Sequence, residues 1–224
     1  MQLNADFSQR AVIHAATLDW TPSPMPGVSR RMLDRIGNEV ARATSIVRYD
    51  PGSAFSAHTH EGGEEFLVLD GVFQDEAGDF PTGSYVRNPP TSSHTPSSEP
   101  GCTILVKLRQ FDPDDRTHVR IDAGKMPSIR PASRPDVALT PLFADERETV
   151  AIEDWDAGAS IAEENPGGME IFVLSGSFEE SGERFSQHSW LRLPPGAPLS
   201  ATVGADGARV WVKTGHLADI AIGA

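Results

Sequence analysis

Four side chains of the types that commonly bind metal ions lie close together in this sequence. They are His58, His60, Glu64 and His94, in the patterns G-x5-H-x-H-x3-E-x6-G and, further on, G-x5-P-x4-H. Successive side chains of a strand point to opposite faces, so His58 and His60 share a face. Glu64 joins them if the chain turns tightly just before it. Three imidazoles and one carboxylate are a donor set for zinc, iron, manganese or nickel, so the spacing predicts a metal site.

The elements that must position these residues are short strands. Apolar and polar side chains alternate with a period of two, which is typical of strands that bury one face. The alternation recurs in Ala11–Leu18, Ala43–Tyr49, Glu65–Leu69, Thr103–Leu108, Thr149–Trp155, Glu170–Leu174 and Arg209–Lys213. Long helical periodicity is missing, and the best short candidate, Arg30–Gly37, fits a strand equally well. We therefore predict an all-β protein.

Glycines mark the expected ends of these strands. Asp70-Gly71 and Ser175-Gly176 carry the residue types of tight turns, and Gly83 is placed to start a new strand. We therefore expect Gly71 and Gly176 to end their strands in hairpin turns.

An internal repeat decides the architecture. GGEEFLVLDGVF begins at Gly62 and GGMEIFVLSGSF begins at Gly167, an offset of 167 − 62 = 105. The same offset pairs Arg87 with Arg192, so the chain is predicted to contain two copies of one β domain of ordinary size. We expect domains at residues 1–118 and 119–224, with a proline-rich junction over residues 112–136. Val119–Ile121, inside that junction, is a candidate strand that crosses from one sheet to the other.

The second copy lacks the metal-binding residue types. At the same offset the four candidate ligands fall on Glu163, Asn165, Met169 and Leu199. Glu163 and Glu164 leave a weak oxygen-rich site as an alternative, because hard cations accept carboxylates. The main expectation is a structural role for this half, with a single metal ion per chain.

A family resemblance enters with the segment HTHEGGEEFLVLDGVFQDEAGDFPTGSYVRNPPTSSHTP. It resembles the cupin superfamily and, more narrowly, the cupin domain of ChrR-type anti-sigma factors, over most of the chain. The resemblance implies two tandem cupin barrels, also called jelly rolls or double-stranded β-helices. It also implies that His58, His60, Glu64 and His94 bind a metal, often zinc in that family. Thr91 departs from the pattern, which has glycine there.

Composition excludes several partners. The net charge is −13 and the pI is about 4.9, which disfavours nucleic acid and anionic membrane surfaces. No segment is apolar for long enough to span a bilayer, and the first ten residues lack a signal-peptide pattern. A cytoplasmic location is expected. Cys102 is the only cysteine, so no intrachain disulfide forms, and we expect its side chain to be buried and inert.

The resemblance implies a metal-binding regulatory or stress-sensing module with one divalent ion per chain. Zinc is the first expectation, and iron, manganese and nickel are the alternatives. Direct binding to a sigma factor is not expected, because the sequence shows no Cys-x2-Cys and no helix pair. A small-molecule ligand at the metal and a homodimer through exposed sheet edges are expected partners.

An enzyme is the alternative function. Three histidines and a glutamate leave open positions on a metal that takes five or six ligands, as a dioxygenase acting on a small organic substrate requires. Tyr85 and Arg87, which share a face of their strand, are candidates for its pocket or for the solvent-facing surface. A third alternative is a structural module, in which the metal only stabilises the folded barrel. The remaining histidines, His14, His118, His188 and His216, are expected to lie at the surface or in loops.

Overall fold

Strands make up nearly all of the regular structure in the computed structural model, which describes residues 1–218 and 220. The chain forms two compact units. The first contains Met1–Ala5 and Leu18–Lys125, and the second contains Asp6–Thr17 and Met126–Ala224. The prediction of an all-β chain with two repeats is confirmed.

The first part of the chain holds fourteen strands, all but the second of which lie in the first unit. They are β1 Gln2–Leu3, β2 Ala11–His14, β3 Thr21–Pro22, β4 Val28–Gly37, β5 Ala41–Tyr49, β6 Ser53–Ala54, β7 His58–Thr59, β8 Glu64–Asp75, β9 Gly78–Pro81, β10 Ser84–Asn88, β11 Ser93–His94, β12 Ser97–Ser98, β13 Cys102–Leu108 and β14 Val119–Asp122. The main sheet runs β1-β4-β5-β13-β8-β10-β14, and β7 pairs with β11. Arg30–Gly37, which fitted either a helix or a strand, is part of strand β4.

The second part of the chain repeats this arrangement. Its strands are β15 Val137–Ala144, β16 Thr149–Trp155, β17 Ser160–Glu163, β18 Met169–Glu180, β19 Glu183–Ser186, β20 Ser189–Leu193 and β21 Leu199–Thr214. The sheet runs β15-β16-β21-β18-β20-β2, so strand β2 from the start of the chain closes it. Strands β18, β19 and β20 reproduce β8, β9 and β10 at the offset of 105.

One strand near the start of each repeat belongs to the other unit, β2 to the second and β14 to the first. Strand β2 pairs with β20, and β14 pairs with β10 in the same antiparallel manner. A short 3-10 turn follows each of them, at Ala15–Thr17 and Ala123–Lys125. The predicted crossing strand near Val119 is thus present. Within the residues that the structure describes, these turns are the only helices, and no helix reaches the length and hydropathy of a membrane span.

Gly71 and Gly176 do not end their strands, so the expectation of hairpin turns there is wrong. Strands β8 and β18 continue through them for twelve residues each. Both glycines have φ of 72°, and the register with β13 and β21 shifts close by. Each glycine therefore takes the left-handed conformation next to a β-bulge, and the bulge bends the strand so that it serves both walls of its barrel.

Each unit encloses its own apolar core. In the first, Phe66 and Val68 from β8 meet Val106 from β13 inside the barrel. In the second, Ile171 and Val173 from β18 meet Val210 from β21. Alternation along these strands therefore fixes which side chains face inward, and Glu64 shares the inward face of β8 with Phe66.

Candidate metal centre

The structure brings all four predicted side chains together in the first barrel. His58 lies in β7 and His94 in β11, directly opposite each other in the antiparallel pair. His60 follows β7, and its backbone N–H donates to the carbonyl of Ser92 at 2.9 Å. The chain then turns through Gly63, whose φ is 78°, so that Glu64 starts β8 facing inward. We call His58, His60, Glu64 and His94 the His/Glu cluster.

The geometry of the His/Glu cluster suits a single ion. His60 Nε2 and His94 Nε2 are 3.1 Å apart, and Glu64 Oε2 is 3.4 Å from each of them. One ligand atom from each of the four residues lies within 4.8 Å of the others. Donors bound to one metal at 2.0–2.2 Å are about 3 to 3.6 Å apart, so these separations fit.

Three acceptors fix the same tautomer on all three histidines. His58 Nδ1 lies 3.0 Å from the carbonyl oxygen of Ser56, and His94 Nδ1 lies 3.2 Å from Asp75 Oδ2. Both oxygens can only accept, so each Nδ1 carries the proton. The other ring nitrogen, Nε2, is then unprotonated on both histidines and offers a lone pair to a metal.

His60 follows the same rule through a hydroxyl group. Its Nδ1 lies 3.0 Å from Ser92 Oγ, and that hydroxyl donates its only hydrogen to the carbonyl of Pro89 at 2.6 Å. Ser92 must therefore accept from His60 Nδ1–H, which leaves Nε2 unprotonated. Lone pairs of His60, His94 and Glu64 that face one another at 3.1–3.4 Å are stable around a shared cation.

Burial and charge shift the pKa values of the two buried histidines in opposite directions. Burial lowers the pKa of His60 below its ordinary value. Burial acts in the same direction on His94, but the Asp75 hydrogen bond and the charge of Glu64 outweigh it and raise the pKa of His94. Glu64 also accepts a hydrogen bond from Asn88 Nδ2 at 3.2 Å. His60, Glu64 and His94 are buried while His58 is exposed, so the cluster has one open side.

Sequence reasoning missed Asp75, Asn88 and Ser92, which hold the cluster from neighbouring strands and turns. The placement of Tyr85 and Arg87 in the pocket or at the surface is wrong. Arg87 stands opposite Glu65, the residue that points away from the cluster. Both side chains are buried on that face, where Tyr85 donates to Glu65 at 2.6 Å. Asn88, one residue on, stands opposite Glu64 and carries the inward position.

The second barrel carries different chemistry at the equivalent positions. Glu163 stands opposite Leu199, as His58 stands opposite His94. Asn165 and Met169 occupy the places of His60 and Glu64, as the offset of 105 predicts. Within residues 1–218 and 220, the His/Glu cluster is the one group of His, Cys, Asp or Glu with metal-binding spacing.

Other reactive side chains are accounted for by their surroundings. Cys102 is buried as expected, and burial raises the pKa of its thiol to about 11. His188 takes the position of Gly83 in a turn, with φ of 64°. His216 departs from the surface expectation, because its side chain is buried against Glu170 at 2.9 Å.

Comparison with known proteins identifies the family. The profile of the ChrR cupin-like domain matches the chain twice, over residues 8–112 and 117–218. The chain belongs to the ChrR cupin-like family. The two matches correspond to the two repeats, so this family member is a bicupin. No curated protein matches its sequence.

Solved structures share the bicupin fold. A candidate dioxygenase from Nostoc punctiforme has a TM-score of 0.78 and 17% identity, covering 96% of this chain and 85% of its own. Ylba from Escherichia coli has a TM-score of 0.71 and 16% identity, covering 97% and 95%. YhhW from Escherichia coli, a bacterial pirin in complex with nickel(II), has a TM-score of 0.67 and 11% identity, covering 92% and 98%. At these identities the similarity establishes the fold alone.

Proposed function

We propose that the first barrel of this bicupin binds one divalent metal ion through the His/Glu cluster and acts as a dioxygenase on a small organic substrate. The observation that carries the proposal is a cavity of about 370 Å³ in the first barrel, lined by neighbours of the cluster and not by its four members. Its wall includes Phe55, whose ring centroid lies 6.2 Å from that of His58, and Leu108, which stands opposite Glu64. The sequence alone ranked a regulatory module first, and this cavity reverses the order.

The chain's own residues shape this cavity for an organic molecule. Met25, Val47 and Val106 give it apolar walls, which exclude water from a bound substrate. A bound redox-active metal would supply the activation of dioxygen, with both oxygen atoms ending in the product. Asp75, Ser92 and Asn88 keep the donor atoms oriented, and a rigid donor set of this kind is what a reactive metal requires.

Arg35 gives the cavity a charge preference. It stands opposite Ala43, which is opposite Leu108, which is opposite Glu64, so all four share one inward row of the sheet. Arg35 is buried, and its guanidinium donates to the backbone carbonyl of Asn38. Burial lowers the pKa of Arg35, an effect that an anionic partner would offset. A substrate with an anionic group would therefore span from the metal to Arg35 across Ala43.

Metal analysis and oxygen uptake test the proposal together. Protein purified without a metal-affinity tag is analysed for metal identity and stoichiometry. The chain is then reconstituted with iron(II), manganese(II), nickel(II) or zinc(II). About one iron, manganese or nickel per chain, with oxygen uptake on addition of small organic acids, supports a dioxygenase. One zinc per chain and no oxygen uptake with any of the metals contradicts it.

A regulatory or stress-sensing role is the second candidate, and the family match supports it. The ChrR cupin-like profile covers both repeats, and His58 is exposed on the open side of the cluster. A sensing site with zinc held by all four side chains would be coordinatively complete. Stoichiometric zinc that binds a small-molecule ligand without turning it over would favour this candidate.

A further inference from the structure

The second barrel contains a cavity of about 300 Å³ at the place that corresponds to the metal centre of the first. Its lining includes Glu163, Asn165, Met169 and Leu199, the repeat counterparts of the His/Glu cluster. A cavity of this size accommodates a small molecule. The second barrel thus has different residue types at these positions, which remove the metal ligands of the first barrel but leave the space open.

The carboxylates that a metal ion would need there already bind the guanidinium of an arginine. Arg134 donates to both carboxylate oxygens of Glu153 at 2.7 Å and also contacts Glu163. Glu153 is buried and additionally accepts from the indole of Trp155 at 2.7 Å. The thioether of Met169 and the aliphatic side chain of Leu199 offer no hard donor. The oxygen-rich metal site considered from sequence is therefore disfavoured.

The lining nevertheless carries excess negative charge. One guanidinium, from Arg134, faces three carboxylates, from Glu153, Glu163 and Glu164, so the formal sum is 1 − 3 = −2. The Arg134–Glu153 pair is bidentate and neutralises itself. Glu163, which shares Arg134, and Glu164 at the exposed edge leave negative potential at the cavity. That potential selects a cation.

Asn165 adds an acceptor that has no partner. Its side chain is buried, with 3% exposure. The amide Nδ2 donates to the carbonyls of Pro194 at 3.1 Å and Ala197 at 3.0 Å, so the amide orientation is determined. Oδ1 then points away from those carbonyls and makes no hydrogen bond. A buried unpaired acceptor costs about 1–3 kcal/mol, and a ligand that donates a hydrogen bond would remove that cost.

We propose that the second barrel binds a small organic cation, a primary ammonium on a short hydrocarbon chain. The ammonium group donates to Asn165 Oδ1 and Glu163, and the hydrocarbon lies against Met169, Leu199 and Val212. An ammonium carries three donors and no acceptor, which matches the acceptors Asn165 Oδ1 and Glu163, while Arg134, the cationic donor of the same lining, is held by Glu153. The apolar walls distinguish such a ligand from an inorganic cation.

Calorimetric titration of the full chain with n-butylammonium tests the proposal. Butyrate and n-butanol are the matched controls, since they keep the chain and change only the head group. We expect n-butylammonium to bind at one site, with at least tenfold weaker binding of both controls. Equal binding of butyrate, or no binding of n-butylammonium, overturns the proposal.

Variants locate the ligand. Glu163→Gln removes the charge with little change in shape and is expected to weaken binding at least tenfold. Thr149→Trp blocks the cavity from an exposed position of its lining, so it tests the site without disturbing the Arg134 contacts. His60→Ala should leave binding unchanged, and loss of binding in that variant would place the amine in the first barrel and overturn the proposal. Stoichiometric binding of calcium or manganese to His60→Ala, abolished by Glu163→Gln, would replace the organic cation with an inorganic one.

Discussion

Three different acceptors set the proton position on the three histidines of the His/Glu cluster. Ser56 uses a backbone carbonyl, Ser92 a hydroxyl and Asp75 a carboxylate. Each holds Nδ1–H and leaves Nε2 free. The donor atoms are therefore oriented before any ion binds. Of the three acceptors behind the histidines, only Asp75 carries a full negative charge.

Replacing Asp75 should weaken metal binding without removing a ligand. Asp75→Asn keeps an acceptor for His94 Nδ1 but loses the charge, so we expect about 10- to 100-fold lower metal affinity. Competition with a chromophoric chelator measures the change. Asp70→Asn, an exposed carboxylate on the same strand, is the matched control. Equal affinities of the two variants would show that Asp75 does not act on the metal.

Removing an imidazole should have a larger effect than any change in the second barrel. His60→Ala deletes one of the three buried donors, so we expect the purified chain to contain less than a tenth of an equivalent of metal, estimated from the loss of one of four ligands. Glu163→Gln should leave the metal content unchanged, because its barrel lacks the donor set. Full occupancy in His60→Ala, measured by elemental analysis, would contradict the assignment.

The turn that leads to His94 is strained in one repeat and relaxed in the other. Thr91 has φ of 74°, in the left-handed region, while its repeat counterpart Gly196 has φ of 83°. A β-branched residue pays for that conformation with about 1–2 kcal/mol. The chain keeps the turn all the same, because Thr91 N–H donates to the carbonyl of His60 at 2.9 Å and so ties the turn to the cluster.

Exchanging the residue types at this turn should move stability in opposite directions. Thr91→Gly removes the backbone strain of the folded state, but it also raises the conformational entropy of the unfolded chain, which opposes the gain. We expect a net stabilisation of about 0.5–1 kcal/mol. Gly196→Thr should destabilise by about 1 kcal/mol, since nothing within 4 Å would contact the new Cβ and only the backbone conformation is at stake. Urea denaturation measures both. A destabilised Thr91→Gly would mean that the threonine side chain makes a contribution beyond its backbone.

Gly71 in strand β8 and Gly83 in the turn before β10 offer a separate test of how one strand serves two walls. A Cβ on Gly71 would lie 2.1 Å from the carbonyl oxygen of Gly101, whereas one on Gly83 meets nothing within 4 Å. Both have positive φ, of 72° and 90°. Gly83→Ala should therefore cost about 1 kcal/mol and Gly71→Ala at least about 2 kcal/mol more, because the bulge must open. Equal melting temperatures would show that strand β8 tolerates a different bend.

Local patterns were enough to predict that His58, His60 and Glu64 share a face, because strand parity and the turn at Gly63 are encoded within a few residues, whereas His94 was included through the second motif and the cupin resemblance. The residues that hydrogen-bond to the cluster were not predictable, since Asp75 and Asn88 reach it only after strands pair across the barrel. Arg87 was misplaced for the same reason. Its face depends on registering β10 against β8, and a shift of one residue exchanges it with Asn88.

At the scale of the whole chain, the repeats and the compact units do not coincide. The first unit takes β14 from the start of the second repeat, and the second unit takes β2 from the start of the first repeat. In both, the added strand pairs over four residues, β14 with β10 and β2 with β20. A chain divided between the repeats would leave β10 and β20 as open sheet edges.

Fragments with different ends should therefore differ in stability. Residues 18–125 keep β14 on β10, whereas residues 18–118 contain the same His/Glu cluster and the same first residue but end before β14. Four backbone pairings at about 0.5–1 kcal/mol each predict that residues 18–125 are more stable by about 2–4 kcal/mol. Urea denaturation of the two fragments, each with its metal content measured, makes the comparison. Adding a peptide of residues 115–127 to the fragment 18–118 should restore most of the difference, because the peptide supplies β14. If residues 18–118 match residues 18–125 in stability, pairing with β14 contributes nothing to the first barrel, and the exchange of strands is a feature of chain connectivity alone.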